Sequence, residues 1–259
     1  MSDTEQVTTR VDYDTVAPGF DRRYDTFDYR GVTQALLAFV AASTRDGSPR
    51  VLEAGCGTGH WLRLLLDDTP SRTIGLDLSA GMLRVAGSAA PAASLVRARG
   101  DALPLAAATV DAVVCINAIH HFDDPHAFIR DARRVLKPGG GLFVAGLDPH
   151  AGTDTWWLYD AFPDALDADR RRYPPAASLR EWMADAGFDT VESSVVQRWT
   201  GALTGDALLQ RGMLRREGTS QLMVITDEAY AAGVARVTSN PTAVRHTDLH
   251  VFATIGIAR

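Results

Sequence analysis

Residues 51–59 read Val-Leu-Glu-Ala-Gly-Cys-Gly-Thr-Gly, a short apolar run interrupted by a carboxylate and followed by glycines at 55, 57 and 59. Glycines this dense let a backbone close in on a ligand, and the helical pattern that starts near Gly59 adds free N–H groups at the same place. The spacing is not that of a dinucleotide fingerprint, because His60 occupies the position of its third glycine. Nor is it a phosphate-binding P-loop: no Lys-Ser or Lys-Thr pair follows, and the nearest lysine is Lys137. Glu53 beside the turn would repel a pyrophosphate and attract a ligand that carries a positive charge. The turn is therefore read as a site for a cationic, nucleoside-sized ligand.

From residue 50 onwards, short β-branched runs alternate with helical patterns. Strands are predicted at 50–54, 73–77, 95–98, 111–116, 142–146, 190–198 and 249–257, and helices at 59–67, 79–89, 125–136 and 178–186. This alternation predicts an α/β fold, a Rossmann-like doubly wound sheet of seven mostly parallel strands. The all-apolar Ala112–Ile116 fits a central strand buried on both faces. Ser79 is placed to cap one helix, and Lys-Pro-Gly-Gly-Gly at 137–141 to stop another. Residues 1–45 precede the repeating unit and are expected to form an N-terminal helical cap over one edge or the ligand mouth, leaving 46–259 as the main domain. Two segments interrupt that domain as expected lids: 148–177, rich in aromatic and charged residues, and 205–236.

The other strand ends converge on the glycine turn. Asp77, 22 positions beyond Gly55, closes the second strand, where a carboxylate accepts both hydroxyls of a ribose. Asp101, after the third strand, is placed for the edge of an adenine. The fourth strand ends in Asn117-Ala-Ile-His-His121. In an open parallel sheet, ligands sit at the carboxyl ends of the strands.

"VLEAGCGTG", "GLDLS", "RGDALPL", "DAVVCINAIHHF" and "VLKPGGGLFVAG", in this order, resemble the motifs of class I S-adenosylmethionine-dependent methyltransferases, in particular the small-molecule branch that includes the ubiquinone and menaquinone methyltransferases. The resemblance covers residues 50–147, with a looser likeness in "YDTVAPGFDRRY" at 13–24. It implies that S-adenosyl-L-methionine is the cofactor. Glu53 would position its methionine part, with Gly55, Cys56 and Gly57 packed against it. Asp77 would hold the ribose, Leu78 would pack on the adenine, and Asp101 with Ala102 would read the adenine amino edge. Asn117 would contribute backbone contacts near the methionine amine.

His120 and His121 are the candidate catalytic bases, since an imidazole poised near neutrality can take a proton from an attacking hydroxyl or amine. Trp156, Trp157 and Tyr159 are the candidate apolar wall for the acceptor, a small and partly apolar metabolite methylated at O, N or C. A methyltransferase-fold enzyme that keeps the cofactor but performs a non-methylating reaction, such as a cyclisation, is the alternative. A net charge of −6 argues against a nucleic-acid partner. No long apolar run suggests a membrane span, and no metal site is expected. The start of the chain lacks a cationic leader, and Cys56 and Cys115 sit without metal or disulfide spacing, so a cytoplasmic monomer or homodimer is the expectation.

Overall fold

The computed structural model of the chain describes residues 11–44 and 47–259; part of the predicted cap, at 1–10 and 45–46, lies outside them. Among the described residues eight strands form one sheet: β1 (Arg50–Ala54), β2 (Arg72–Asp77), β3 (Ser94–Arg97), β4 (Val110–Ile116), β5 (Leu136–Gly146), β6 (Thr155–Trp156), β7 (Phe188–Thr204) and β8 (Val244–Ala258). The order runs β3-β2-β1-β4-β5-β8, with β7 along the outer edge of β8 and the two-residue β6 pairing β8 near its start. β1 to β5 are parallel, whereas β8 runs antiparallel to both β5 and β7. The strand order reverses between β2-β1 and β4, which opens a crevice at their carboxyl ends.

Seven strands fall where the sequence places them, and the eighth, β6, lies inside the segment read as a lid. Two predictions need correction in extent. Helix Pro125–Val135 stops ahead of Lys137 as expected, but β5 already begins at Leu136, so residues 137–140 form an irregularity within that strand, with Val110 paired to Leu136, Ala112 to Gly141, and Gly139 at φ +79. β7 runs for 17 residues, far past the predicted segment, because its whole length finds hydrogen-bond partners on β8. Polar, exposed positions in β7 weaken the hydrophobic alternation by which strands are recognised.

Helices cover both faces. Leu36, Phe39 and Val40 of helix Arg30–Ala42 pack with Trp61, Leu65, Val114, Phe143 and Val251 on one face. Phe128, Ile129 and Ala132, together with Leu179 and Met183, cover the other against Leu52, Val113 and Leu142. A third core joins the two inserted segments. Trp156, Trp157, Leu158 and Phe162 from the first pack with Leu208, Leu222 and Ile225 from the second, against Leu249 of β8. The two expected lids are thus one packed body. Among the described residues no helix is long and apolar enough to cross a membrane.

Candidate active site

The turn after β1 takes its shape from glycine. Gly55 sits at φ +74, and a Cβ there would lie 2.4 Å from the Cβ of Ala118; Gly59, at φ +84, is the left-handed residue that opens helix His60–Asp68. The N–H groups of Gly55 and Cys56 both donate to the Leu76 carbonyl, at 2.7 and 2.9 Å, which ties the turn to β2. Asp77 completes the tie, with Oδ2 accepting from Gly57 N at 2.8 Å and Oδ1 from Ser79 N at 2.9 Å. Ser79 in turn caps its helix by accepting from Met82 N at 3.0 Å.

These elements line a cavity of about 470 Å³ at the crevice. Glu53, Gly55, Cys56, Gly57, Asp77, Leu78, Asp101, Asn117 and His121 all line it, so the structure brings together most of the residues singled out from the sequence. Glu53 is buried, with both carboxylate oxygens lacking a hydrogen-bond partner among the described residues. Burial, reinforced by the nearby Asp77, pushes its carboxyl well up. Burial also raises the Asp77 carboxyl. Leu78 is 44% exposed at the rim, an apolar side chain left open where a flat ring can lie. Asn117 holds φ +51 at the end of β4, a left-handed conformation that asparagine tolerates better than most residues. Asp101 is held below the usual carboxylate range by Arg99, whose guanidinium grips both of its oxygens at 2.9 and 2.5 Å.

Five of the predicted residues lie elsewhere. Ala102 sits exposed in the turn after β3 and does not line the cavity. His120 is buried with its ring stacked on Tyr173 at 3.7 Å, facing away from the cavity that its neighbour lines. Trp156 and Trp157 are buried in the core shared by the inserted segments, and Tyr159 donates to Asp169 at 2.7 Å. Trp156 and Trp157 pack there among Phe162, Leu208, Leu222 and Leu249 of the same cluster.

The missing wall comes from the N-terminal segment, where Tyr13, Phe20, Arg23 and Tyr24 line the cavity together with Trp61 and Phe122. The segment is fastened at three points. Asp14 Oδ1 accepts from Ser79 Oγ and Gly81 N, both at 2.6 Å; Asp21 accepts from the Thr58 hydroxyl in the glycine turn; and Tyr13 Oη lies 2.6 Å from His121 Nε2. The one signal for it in the sequence is the looser "YDTVAPGFDRRY" motif. Burial, with the charges of Arg172 and Arg23 nearby, pushes His121 down to about 3, so its imidazole is neutral at physiological pH.

This geometry has counterparts among known proteins. Residues 52–144 match the methyltransferase domain family. The chain is 29% identical to the uncharacterized methyltransferase YcgJ of Bacillus subtilis over 73% of this chain and 74% of that one. The solved structure of YcgJ superposes with a TM-score of 0.60, at 20% identity, covering 88% of this chain and 98% of that one. A demethylmenaquinone methyltransferase of Renibacterium salmoninarum is 27% identical over 69% of this chain and 83% of its own. A malonyl-[acyl-carrier protein] O-methyltransferase of Hahella chejuensis is 33% identical over 57% of this chain, which spans about half the length of that relative, 54%. The methyltransferase-domain match and these relatives support a class I S-adenosylmethionine-dependent methyltransferase, with S-adenosylmethionine as the cofactor.

The residues present suit that cofactor. An unpartnered, buried carboxylate at Glu53 fits an ammonium group, Asp77 keeps lone pairs free beyond its two backbone bonds, and the Leu78 side chain offers apolar surface. Among the described residues no group of three His, Cys, Asp or Glu is placed to hold a metal ion.

Proposed function

We propose that the chain moves the methyl group of S-adenosylmethionine to an oxygen, nitrogen or carbon nucleophile of a small, partly apolar acceptor. The acceptor occupies the aromatic end of the cavity, between Tyr13, Phe20, Tyr24, Trp61 and Phe122, and reacts beside His121. The observation that carries this reading is the Tyr13–His121 hydrogen bond inside the same cavity as Glu53 and Asp77, which sets a polar, uncharged pair next to the cofactor groups.

When bound, the cofactor supplies a methyl group already activated by its sulfonium. What remains for the chain is placement and exclusion of water, and positioning alone is a large share of catalysis for such a transfer. Glu53 and Asn117 hold the methionine part, Asp77 the ribose, and Leu78 with Asp101 the adenine. His121 stays neutral and accepts or donates a hydrogen bond through Nε2, so it orients the proton-bearing nucleophile while Tyr13 fixes the ring. The cofactor would supply the methyl group and leave as S-adenosylhomocysteine, and the Tyr13–His121 pair would orient the proton-bearing acceptor atom at the cavity wall. Buried free thiols at Cys56 and Cys115 suit a reduced, cytoplasmic setting.

The test is incubation with methyl-labelled S-adenosylmethionine and a panel of small phenols, enols, carboxylic acids and amines. A product heavier by one methyl, with S-adenosylhomocysteine released, is expected. Failure of the purified chain to bind S-adenosylhomocysteine would remove the reading.

A further inference from the structure

Every described residue that lines the cavity lies between Val11 and Asp123, so the inserted body contributes no wall to it. That body reaches the site from behind, through rings. Tyr173 stacks on His120 with centroids 3.7 Å apart and planes at 14°, and the His120 ring meets that of His121 at 3.9 Å. His121 in turn meets Tyr13 edge to face at 4.9 Å, where the Oη–Nε2 hydrogen bond joins them. Four rings thus run in contact from the first inserted segment to the cavity wall.

The far end of this column is held at three atoms. Tyr173 N donates to the Asp169 carbonyl at 2.8 Å, closing helix Pro163–Arg172. Its carbonyl accepts from His150 Nε2 at 3.1 Å, and its Oη accepts from Gln221 Nε2 at the same distance. His150 belongs to the loop after β5, which Asp148 ties to the Ala176 N–H at 2.9 Å. Three separate segments therefore grip one side chain. The sequence adds to this, because Tyr173 precedes Pro174 and Pro175. A residue ahead of proline is confined to extended backbone, and Tyr173 sits accordingly at φ −82 and ψ 121. His120 is held differently: it is buried with Nε2 lacking a hydrogen-bond partner among the described residues, so its ring is oriented by stacking.

We propose that Tyr173 is a positioning residue for His121: the inserted body grips the Tyr173 ring, that ring sets the plane of His120, and His120 keeps His121 turned toward Tyr13. The proposal rests on the reading that the acceptor reacts beside His121. It gives the inserted body a part in turnover without contact to either ligand. A displacement of about 1 Å in a positioned group can cost about a hundred-fold in rate, so a buttress two rings away is enough to matter.

Tyr173→Leu removes the flat face and His120→Ala removes the middle ring, which makes two independent breaks in the column. Tyr173→Phe keeps the face and gives up only the bond from Gln221. Long-range proton–nitrogen NMR on protein labelled at histidine reads both ring nitrogens of His121 with no acceptor present, the signals being assigned by their loss in His121→Gln. Wild type and Tyr173→Phe are expected to show one fixed tautomer, whereas Tyr173→Leu and His120→Ala should show the two His121 nitrogens averaged by exchange. With an identified acceptor, kcat of both broken variants should fall by about ten-fold or more while KM and S-adenosylhomocysteine affinity hold, the pattern of lost positioning. An unchanged His121 spectrum in the broken variants overturns the proposal. So does a loss of S-adenosylhomocysteine affinity equal to the loss of turnover, since Tyr173 would then support the cavity as a whole. Failure of the wild type to bind S-adenosylhomocysteine is a separate result, which strikes the functional reading and leaves the His121 spectra standing.

Discussion

Tyr13 and His121, 108 positions apart in the chain, meet through a 2.6 Å hydrogen bond between Oη and Nε2 at the wall of the cavity. One comes from the first helical turn of the N-terminal segment and the other from the short 3₁₀ turn after β4. The rings also meet edge to face, with centroids 4.9 Å apart. The N-terminal segment and the parallel sheet thus meet at the cavity wall.

Tyr13→Phe keeps the ring and removes only the hydroxyl. His121 loses its orienting partner, whereas Glu53 and Asp77 are untouched. Turnover of an identified acceptor should fall by about ten- to a hundred-fold, within the range for a positioned proton-transfer group, while S-adenosylhomocysteine affinity holds. Steady-state kinetics beside calorimetry check this. A proportional loss of cofactor affinity would make Tyr13 a cofactor residue instead.

Asp77 serves two tasks, since its oxygens accept from Gly57 N and Ser79 N while facing the cavity. Asp77→Ala removes an acceptor for two backbone donors as well as the ribose ligand. S-adenosylhomocysteine affinity is expected to fall by about a hundred-fold, as two charged hydrogen bonds of ordinary strength imply. Isothermal calorimetry reads it directly. The melting temperature of the ligand-free variant should also drop, because the glycine turn loses one of its ties to β2.

The sheet and the cofactor half of the site were legible in the sequence for a physical reason. The glycine turn and the strand ends carry short local motifs, and central strands such as Ala112–Ile116 are apolar on both faces. The acceptor half was not legible. Tyr13, Phe20, Arg23 and Tyr24 reach the cavity only through long-range contacts to Thr58, Ser79 and His121, and in a local window they read as an ordinary amphipathic stretch. Trp156 and Trp157 show the converse: conspicuous aromatics near strand ends, yet their bulk fills the core between the two inserted segments. The sequence could not separate His120 from His121 either, because the partners that fix the two rings, Tyr173 and Tyr13, lie 53 and 108 positions away.

Neutral histidines make stability depend on pH. Burial pushes His121 down to about 3 and His120 well below its usual value, and it pushes His60, stacked on Tyr24 at 3.6 Å, down to about 4. An unfolded histidine titrates near 6.5. Below that pH the unfolded chain binds protons that the folded chain refuses, so stability is full above about pH 6.5 and falls as the pH drops toward about 4. Glu53, raised by burial, acts in the opposite sense, since its folded form holds a proton that the unfolded form releases. The histidine contribution is therefore isolated by difference. His121→Gln should flatten the fall relative to wild type by about 1.4 kcal/mol per pH unit, the slope for one proton. Urea unfolding at pH 7, 6 and 5 gives the two slopes, and parallel curves would contradict a neutral, buried His121.

Asp169 is the centre of the inserted body. It is fully buried and accepts from Tyr159 Oη at 2.7 Å, Gln221 Nε2 at 2.9 Å and the Arg172 guanidinium, so it joins three separate helical segments. Gln221 also donates to Tyr173 Oη at 3.1 Å, and Tyr173 stacks on His120, which carries the network to the back of the active site. Asp169→Asn keeps the volume but leaves the Arg172 guanidinium, already short of partners at Nε and Nη1, as an uncompensated buried charge. Breaking one side of a buried pair costs about 3–5 kcal/mol, and the melting temperature should fall accordingly. Arg172→Met in the same background removes the stranded charge and should recover much of the loss, so the double variant ought to be more stable than Asp169→Asn alone. Because Glu53, Asp77 and Arg23 lie outside this network, S-adenosylhomocysteine affinity at a temperature where each variant is folded should match wild type. If that affinity fell with Asp169→Asn, the inserted body would be supporting the cofactor cavity from outside, since none of its residues line it.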